Sequence, residues 1–159
     1  MPYRLLFEIS VINNKNYAPW LRPREAVRGI PCDLSVTVRN LGDTFPGGKI
    51  NEIKFSTPAL GLVSLEGIQK ANVSLPELKT HEKFNFKVPE ITFINPGLTK
   101  ISIKVETKDE EKIEYFQSEE GPPIKEDYFF NFIYVIDRNL LDLIVLVANL
   151  LKERKLNEQ

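Results

Sequence analysis

Apolar and polar residues alternate with a period of two through most of the chain up to residue 117, and no helical period competes with that pattern there. Successive side chains of a strand point to opposite faces, so the pattern calls for strands that each bury one face. Leu5, Phe7, Ile9 and Val11 fall on one side, with Glu8 and Ser10 on the other. Leu34, Val36 and Val38 alternate with Asp33, Ser35, Thr37 and Arg39. Phe84, Phe86 and Val88 alternate with Asn85 and Lys87, and Ile101, Ile103 and Val105 with Ser102, Lys104 and Glu106. Ile53 and Phe55 supply a further strand ended by Pro58, and short strands fall around 62–65 and 71–75.

The punctuation between these runs is turn chemistry. Pro19, Pro23, Gly29 and Pro31 break the loop from 13 to 31, and Gly42, Pro46, Gly47 and Gly48 mark a corner after Asn40. Asp109 to Lys112 reads as a polar reverse turn, with Ile113, Tyr115 and Gln117 as the return strand of a hairpin. About seven strands at this spacing predict a mainly β protein, an immunoglobulin-like β-sandwich over residues 1–118.

The pattern changes at Ser118. Glu119-Glu120-Gly121-Pro122-Pro123 can neither continue a strand nor open a buried helix, so 119–127 reads as a linker. Residues 128–159 then form an apolar, helical C-terminal segment, with a helix from about Asp137 to Arg154 and Tyr128–Ile136 open to either helix or strand. Ile133, Ile136, Leu140, Leu143, Val147 and Leu150 make a heptad-like stripe. Arg138, Asp142, Asn149 and Lys152 form one narrow polar strip, interrupted by Val145, and Leu140, Leu141, Leu143, Ile144, Leu146, Val147, Leu150 and Leu151 fill nearly all the rest. A helix resting on one sandwich buries a stripe of a little over 100°. This one carries apolar surface beyond that.

One cluster of features resembles a known family. Val36-Thr37-Val38-Arg39-Asn40-Leu41-Gly42 is a strand running into an Asn-x-Gly corner, followed by Pro46-Gly47-Gly48 and a third strand. Pro76-Glu77-Leu78-Lys79 then leads into the Phe84–Val88 strand, and Pro96-Gly97 feeds Ile101–Val105. This layout, over residues 3 to 117, resembles the CARDB domains, cell-adhesion-related immunoglobulin-like modules of bacterial and archaeal proteins. The resemblance implies a sandwich that acts as a spacer or binding module, and it carries over no catalytic residue. Members of that family are usually exported and often tandem, and the C-terminal helix lies outside the matched region.

The residue inventory narrows the chemistry. A single cysteine, Cys32, cannot form an intramolecular disulfide or a multi-thiolate zinc site, and its apolar neighbours predict a buried, inert thiol. A single histidine, His81, rules out a histidine metal cluster and a two-histidine relay. There is no Gly-x-Ser-x-Gly elbow and no glycine-rich phosphate loop. The carboxylates gather at Asp109-Glu110-Glu111 and Glu119-Glu120, in a turn and a linker where solvated groups keep ordinary acidity, whereas a general acid needs partial desolvation. The chain is therefore expected not to be an enzyme and to use no cofactor or metal. One anion-binding candidate remains: Trp20 with Arg22, Arg24 and Arg28 on a Pro-stiffened loop, where an aromatic ring and guanidinium forks can stack a base and grip phosphate. With a formal net charge of −1 and nothing else arranged to track a polyanion, nucleic acid is not the expected partner.

The helix is the stronger clue. The expected role is a non-catalytic interaction or scaffold module, its contacts made by Ile136, Leu140, Leu141, Leu143, Ile144, Val147, Leu150 and Leu151. The expected partner is a second copy, a dimer first, or another protein. The alternative is a membrane-associated sandwich anchored by the helix. An uninterrupted apolar run of 143–148 is far short of the ~20 residues a span needs, so association with a membrane surface fits better than crossing. Glu8 interrupts the apolar start and no small-residue cleavage site follows, so the expected location is cytoplasmic.

Overall fold

A computed structural model describes residues 2–12, 21–59 and 62–157. Along them run β1 (Tyr3–Ile12), β2 (Glu25–Val27), β3 (Cys32–Asn40), β4 (Gly48–Ala59) and β5 (Leu62–Leu75). They are followed by β6 (Lys83–Ile91), β7 (Gly97–Ile103), β8 (Ile113–Phe116), β9 (Phe129–Ile136) and the helix α1 (Arg138–Asn157). The strands form a four-stranded sheet in the order β6-β3-β1-β8 and a five-stranded sheet in the order β2-β9-β7-β4-β5. The protein is a β-sandwich with one C-terminal helix.

The alternations build the core. In β3, Cys32, Leu34, Val36 and Val38 are buried and the residues between them are half-buried. Val36 faces Ile9 on β1 and Phe86 on β6 in the hydrogen-bonded register, so three predicted inward positions stand in one row. From the other sheet Ile53, Ile101, Ile103, Phe129, Ile133 and Val135 join the same cluster. Phe7 closes the gap between the sheets, its ring stacked 5.0 Å from Phe129 and 5.9 Å from Tyr115.

The Asn-x-Gly corner has a definite chemistry. Asn40 is fully buried, and its side-chain amide donates to the carbonyls of Asp43 (2.9 Å) and Leu78 (2.8 Å). Its side-chain oxygen accepts from the Gly42 N–H at 3.0 Å. A buried amide is tolerated only when paired in this way. Gly48 lies where a Cβ would come within 2.6 Å of the Glu106 carbonyl, so the close approach that lets Lys49 bridge to Glu106 excludes any side chain.

Three sequence readings are corrected. The 101–117 stretch is not a hairpin: β7 lies in the five-stranded sheet, while β8 pairs in parallel with β1 in the other. Alternation fixes which face is buried but not which strand is the neighbour. The connection over 104–112 exceeds the 2–5 residues of a hairpin loop and crosses between sheets. The Tyr115 hydroxyl secures that crossing by accepting from the Val105 N–H at 2.9 Å. Second, β4 and β5 form one long antiparallel pair, running through Pro58 to Ala59 with bulges at Ile50/Glu52 and Phe55/Ser56. Among the described residues only β5 flanks β4 beyond Ser56, so a missing donor at Pro58 disturbs no second ladder there. Third, the 128–159 segment divides into strand β9 and helix α1, so Ile133 and Ile136 belong to a strand. β9 is hydrogen-bonded between β7 and β2 and places Phe129, Ile133 and Val135 in the core.

Candidate interaction surface

A single residue, Asp137, separates β9 from α1. Aspartate is a favoured residue type just before a helix, and Lys152 and Arg154 in the last turns suit the negative end of the helix dipole. The leucine-rich sequence between them has high helix propensity. Leu143, Ile144, Leu146, Val147, Leu150 and Leu151 are between 47% and 60% exposed. They cover an arc of roughly 160° on the helix surface. No strand packs extensively against α1 among the described residues. Of the other predicted contact residues, Ile136 is half-buried against Val27, and the side chains of Leu140 and Leu141 lie outside the described residues.

A second apolar surface adjoins the base of the helix. Leu98 opposes Tyr134 and Lys100 opposes Phe132 across the β7–β9 ladder, and Leu98 (50%), Phe132 (36%) and Tyr134 (49%) all face outward. Ile94, just before β7, is 58% exposed. Every exposed large apolar side chain among the described residues lies either here or on α1. Sequence reasoning missed this corner. Phe132 and Tyr134 alternate with Ile133 and Val135, but an aromatic is as ordinary on an inner face as on an outer one, so composition gave no sign of which side was wet.

Further along the same face lies a groove of about 600 Å³, lined in part by Lys54, Lys100, Ser102, Lys104 and Tyr128. Its cations are largely engaged. The Lys100 ammonium sits 4.6 Å from the Phe130 ring centre and 5.2 Å from that of Tyr128, and donates to the Tyr128 hydroxyl at 3.3 Å. Lys104 pairs with Asp127 at 3.2 Å.

The arginine loop is only partly described, because Trp20 lies outside the described residues. Arg22, Arg24 and Arg28 are exposed. The Arg24 guanidinium donates to Asn131 at 2.6 Å, which ties the loop to β9, and Glu25 accepts from the Arg22 backbone N–H at 2.9 Å. Arg24 is thus occupied in holding the fold.

The remaining reactive groups are subdued. Burial, with Asp33 adding a smaller effect, pushes the Cys32 thiol up to about 11, which keeps it neutral and inert. His81 is exposed in a turn. Asp109 does not keep the ordinary acidity expected of it: the Tyr3 hydroxyl, with Thr107 adding to the effect, donates to its carboxyl and holds it below the usual range. That direction leads away from general-acid chemistry. Glu119 pairs with Arg39. Among the described residues no cluster of three or more His, Cys, Asp or Glu is placed to hold a metal ion.

No protein-family model matches the chain, and no curated protein matches its sequence significantly. Among solved structures it is similar to the CARDB domain of a Pyrococcus furiosus protein, described in complex with di-metal ions. That pair shares 14% identity with a TM-score of 0.45, covering 84% of this chain and 89% of the other. It is also similar to a Niemann-Pick type C2 protein from the Japanese carpenter ant, at 13% identity and a TM-score of 0.45 over 86% and 94% of the two chains. A third similarity is to a β-glucosidase from Listeria innocua, at 15% identity and a TM-score of 0.36, covering 81% of this chain but 16% of the enzyme.

Proposed function

We propose that this protein is a non-catalytic interaction module whose helix α1 joins it to a second copy, most simply as a two-fold dimer. The observation that carries the reading is the uncovered apolar face of α1. Six aliphatic side chains about half exposed to water forgo on the order of 5–9 kcal/mol of burial. A two-fold contact presents the same patch twice, so surface left over on one copy is matched automatically by the other. The quiet chemistry elsewhere, with a neutral thiol, an exposed lone histidine and a carboxyl held ionised, supports a binding role over a catalytic one.

The test is the mass of the full chain in solution, without detergent and with it. A dimer is expected, and Leu143→Glu with Val147→Glu should convert it to monomer while the cooperative unfolding of the sandwich persists. A membrane role would read differently: no helix among the described residues is long and apolar enough to cross a bilayer, so it would appear as aggregation relieved by detergent and flotation with liposomes. A wild-type monomer that ignores liposomes would overturn the proposal.

A further inference from the structure

We infer that the dimer is built by reciprocal exchange, each copy's α1 lying on the outer β9–β7 face of the other. This rests on the dimer reading and specifies what α1 meets. The chain has two unpartnered apolar surfaces, and the exposed large apolar residues among those described are confined to them: the α1 arc, and the corner formed by Ile94, Leu98, Phe132 and Tyr134. The 20 residues of α1 make a rod about 30 Å long, its exposed apolar arc from Leu143 to Leu151 taking up about 12 Å of that. The 8 residues of β9 run about 26 Å, long enough to receive that arc.

The helix cannot cover its own corner. Laying a helix back along the strand that precedes it requires a reversing connection of about 2–6 residues, and only Asp137 is present. A second copy removes that constraint, because its helix arrives from outside. Exchange also closes under two-fold symmetry, leaving neither surface exposed. A helix about 10 Å across laid along the sheet removes on the order of 600 Å² from the two surfaces together, and two such contacts reach about 1,200 Å², the lower bound of stable interfaces. A seam between two α1 helices would cover the helices and leave Leu98, Phe132 and Tyr134 in water.

The test uses all 159 residues and the mass as a function of concentration. Phe132→Asp with Tyr134→Asp changes two outward side chains, and Leu98→Glu, on the neighbouring strand, gives a second reading independent of any effect on β9. Each is expected to weaken dimerisation more than about tenfold with sandwich unfolding still cooperative. Mixing the sheet variant with the Leu143→Glu, Val147→Glu helix variant supplies the decisive result. Under exchange the mixed dimer keeps one intact helix on one intact sheet, whereas either variant alone keeps none. The mixture should therefore associate one-to-one more tightly than either variant self-associates, and more weakly than wild type. Sheet variants that stay fully dimeric, or a mixture that associates no more tightly than either variant alone, would overturn exchange while leaving the dimer itself standing. A monomeric wild type would overturn both.

Discussion

Thr99 is fully buried opposite Ile133, and its hydroxyl has no hydrogen-bond partner among the described residues. A buried hydroxyl without a partner retains the cost of losing water and gains nothing in return. Thr99→Val keeps the shape and removes that cost, so it should raise stability by roughly 1 kcal/mol, measured as a higher denaturant midpoint at unchanged slope. Two other buried groups set the alkaline limit. Burial pushes the Tyr115 phenol up to about 12 from an ordinary 10, against a smaller opposing effect of the Val105 N–H, and lifts the Cys32 thiol to about 11 from 9. Both are raised, so the fold holds these protons more tightly than the open chain does. Their contribution is complete below pH 9 for Cys32 and below pH 10 for Tyr115, and is lost as pH climbs through 11 and 12 respectively. Denaturation between pH 8 and 12 should therefore show the advantage of wild type over Cys32→Ala narrowing from about pH 9 upward. At this scale the sequence spoke clearly about Cys32, whose apolar neighbours predict its burial. It misjudged Asp109, since the Tyr3 hydroxyl that donates to it comes from the opposite end of the sandwich portion of the chain.

Among the elements, β9 changes the expected boundary of the domain. The alternations of the sandwich end before Ser118, yet a chain cut there loses the strand between β7 and β2 together with Phe129, Ile133 and Val135. Truncation after Ser118 should leave a molten or insoluble product, whereas truncation after Asp137 should give a soluble sandwich with cooperative thermal unfolding. Circular dichroism and a melting curve on the two chains decide the point. The strands most legible in advance were β1, β3, β6 and β7, because each alternates cleanly and is bounded by turn residues. β9 was ambiguous because Phe129–Ile136 is apolar on both faces, and a short apolar run fits a buried strand and a helix start equally well.

For the whole molecule, the division between sequence and tertiary structure follows the range of the forces involved. The sequence alone determined that the protein is a mainly β sandwich, which residues face the core in β1, β3, β6 and β7, and that a helix with surplus apolar surface ends the chain. These are local properties, set by side-chain periodicity and by turn residues within a few positions of one another. Only the tertiary structure decided that β8 leaves β7 to pair with β1, that β9 completes the second sheet, and that Leu98, Phe132 and Tyr134 meet on its outer face. Strand partnership depends on which distant segments bury the most apolar surface together, and the period of two is the same whichever partner is chosen. The corner beside α1 is likewise assembled from residues more than 30 positions apart, which no local pattern records.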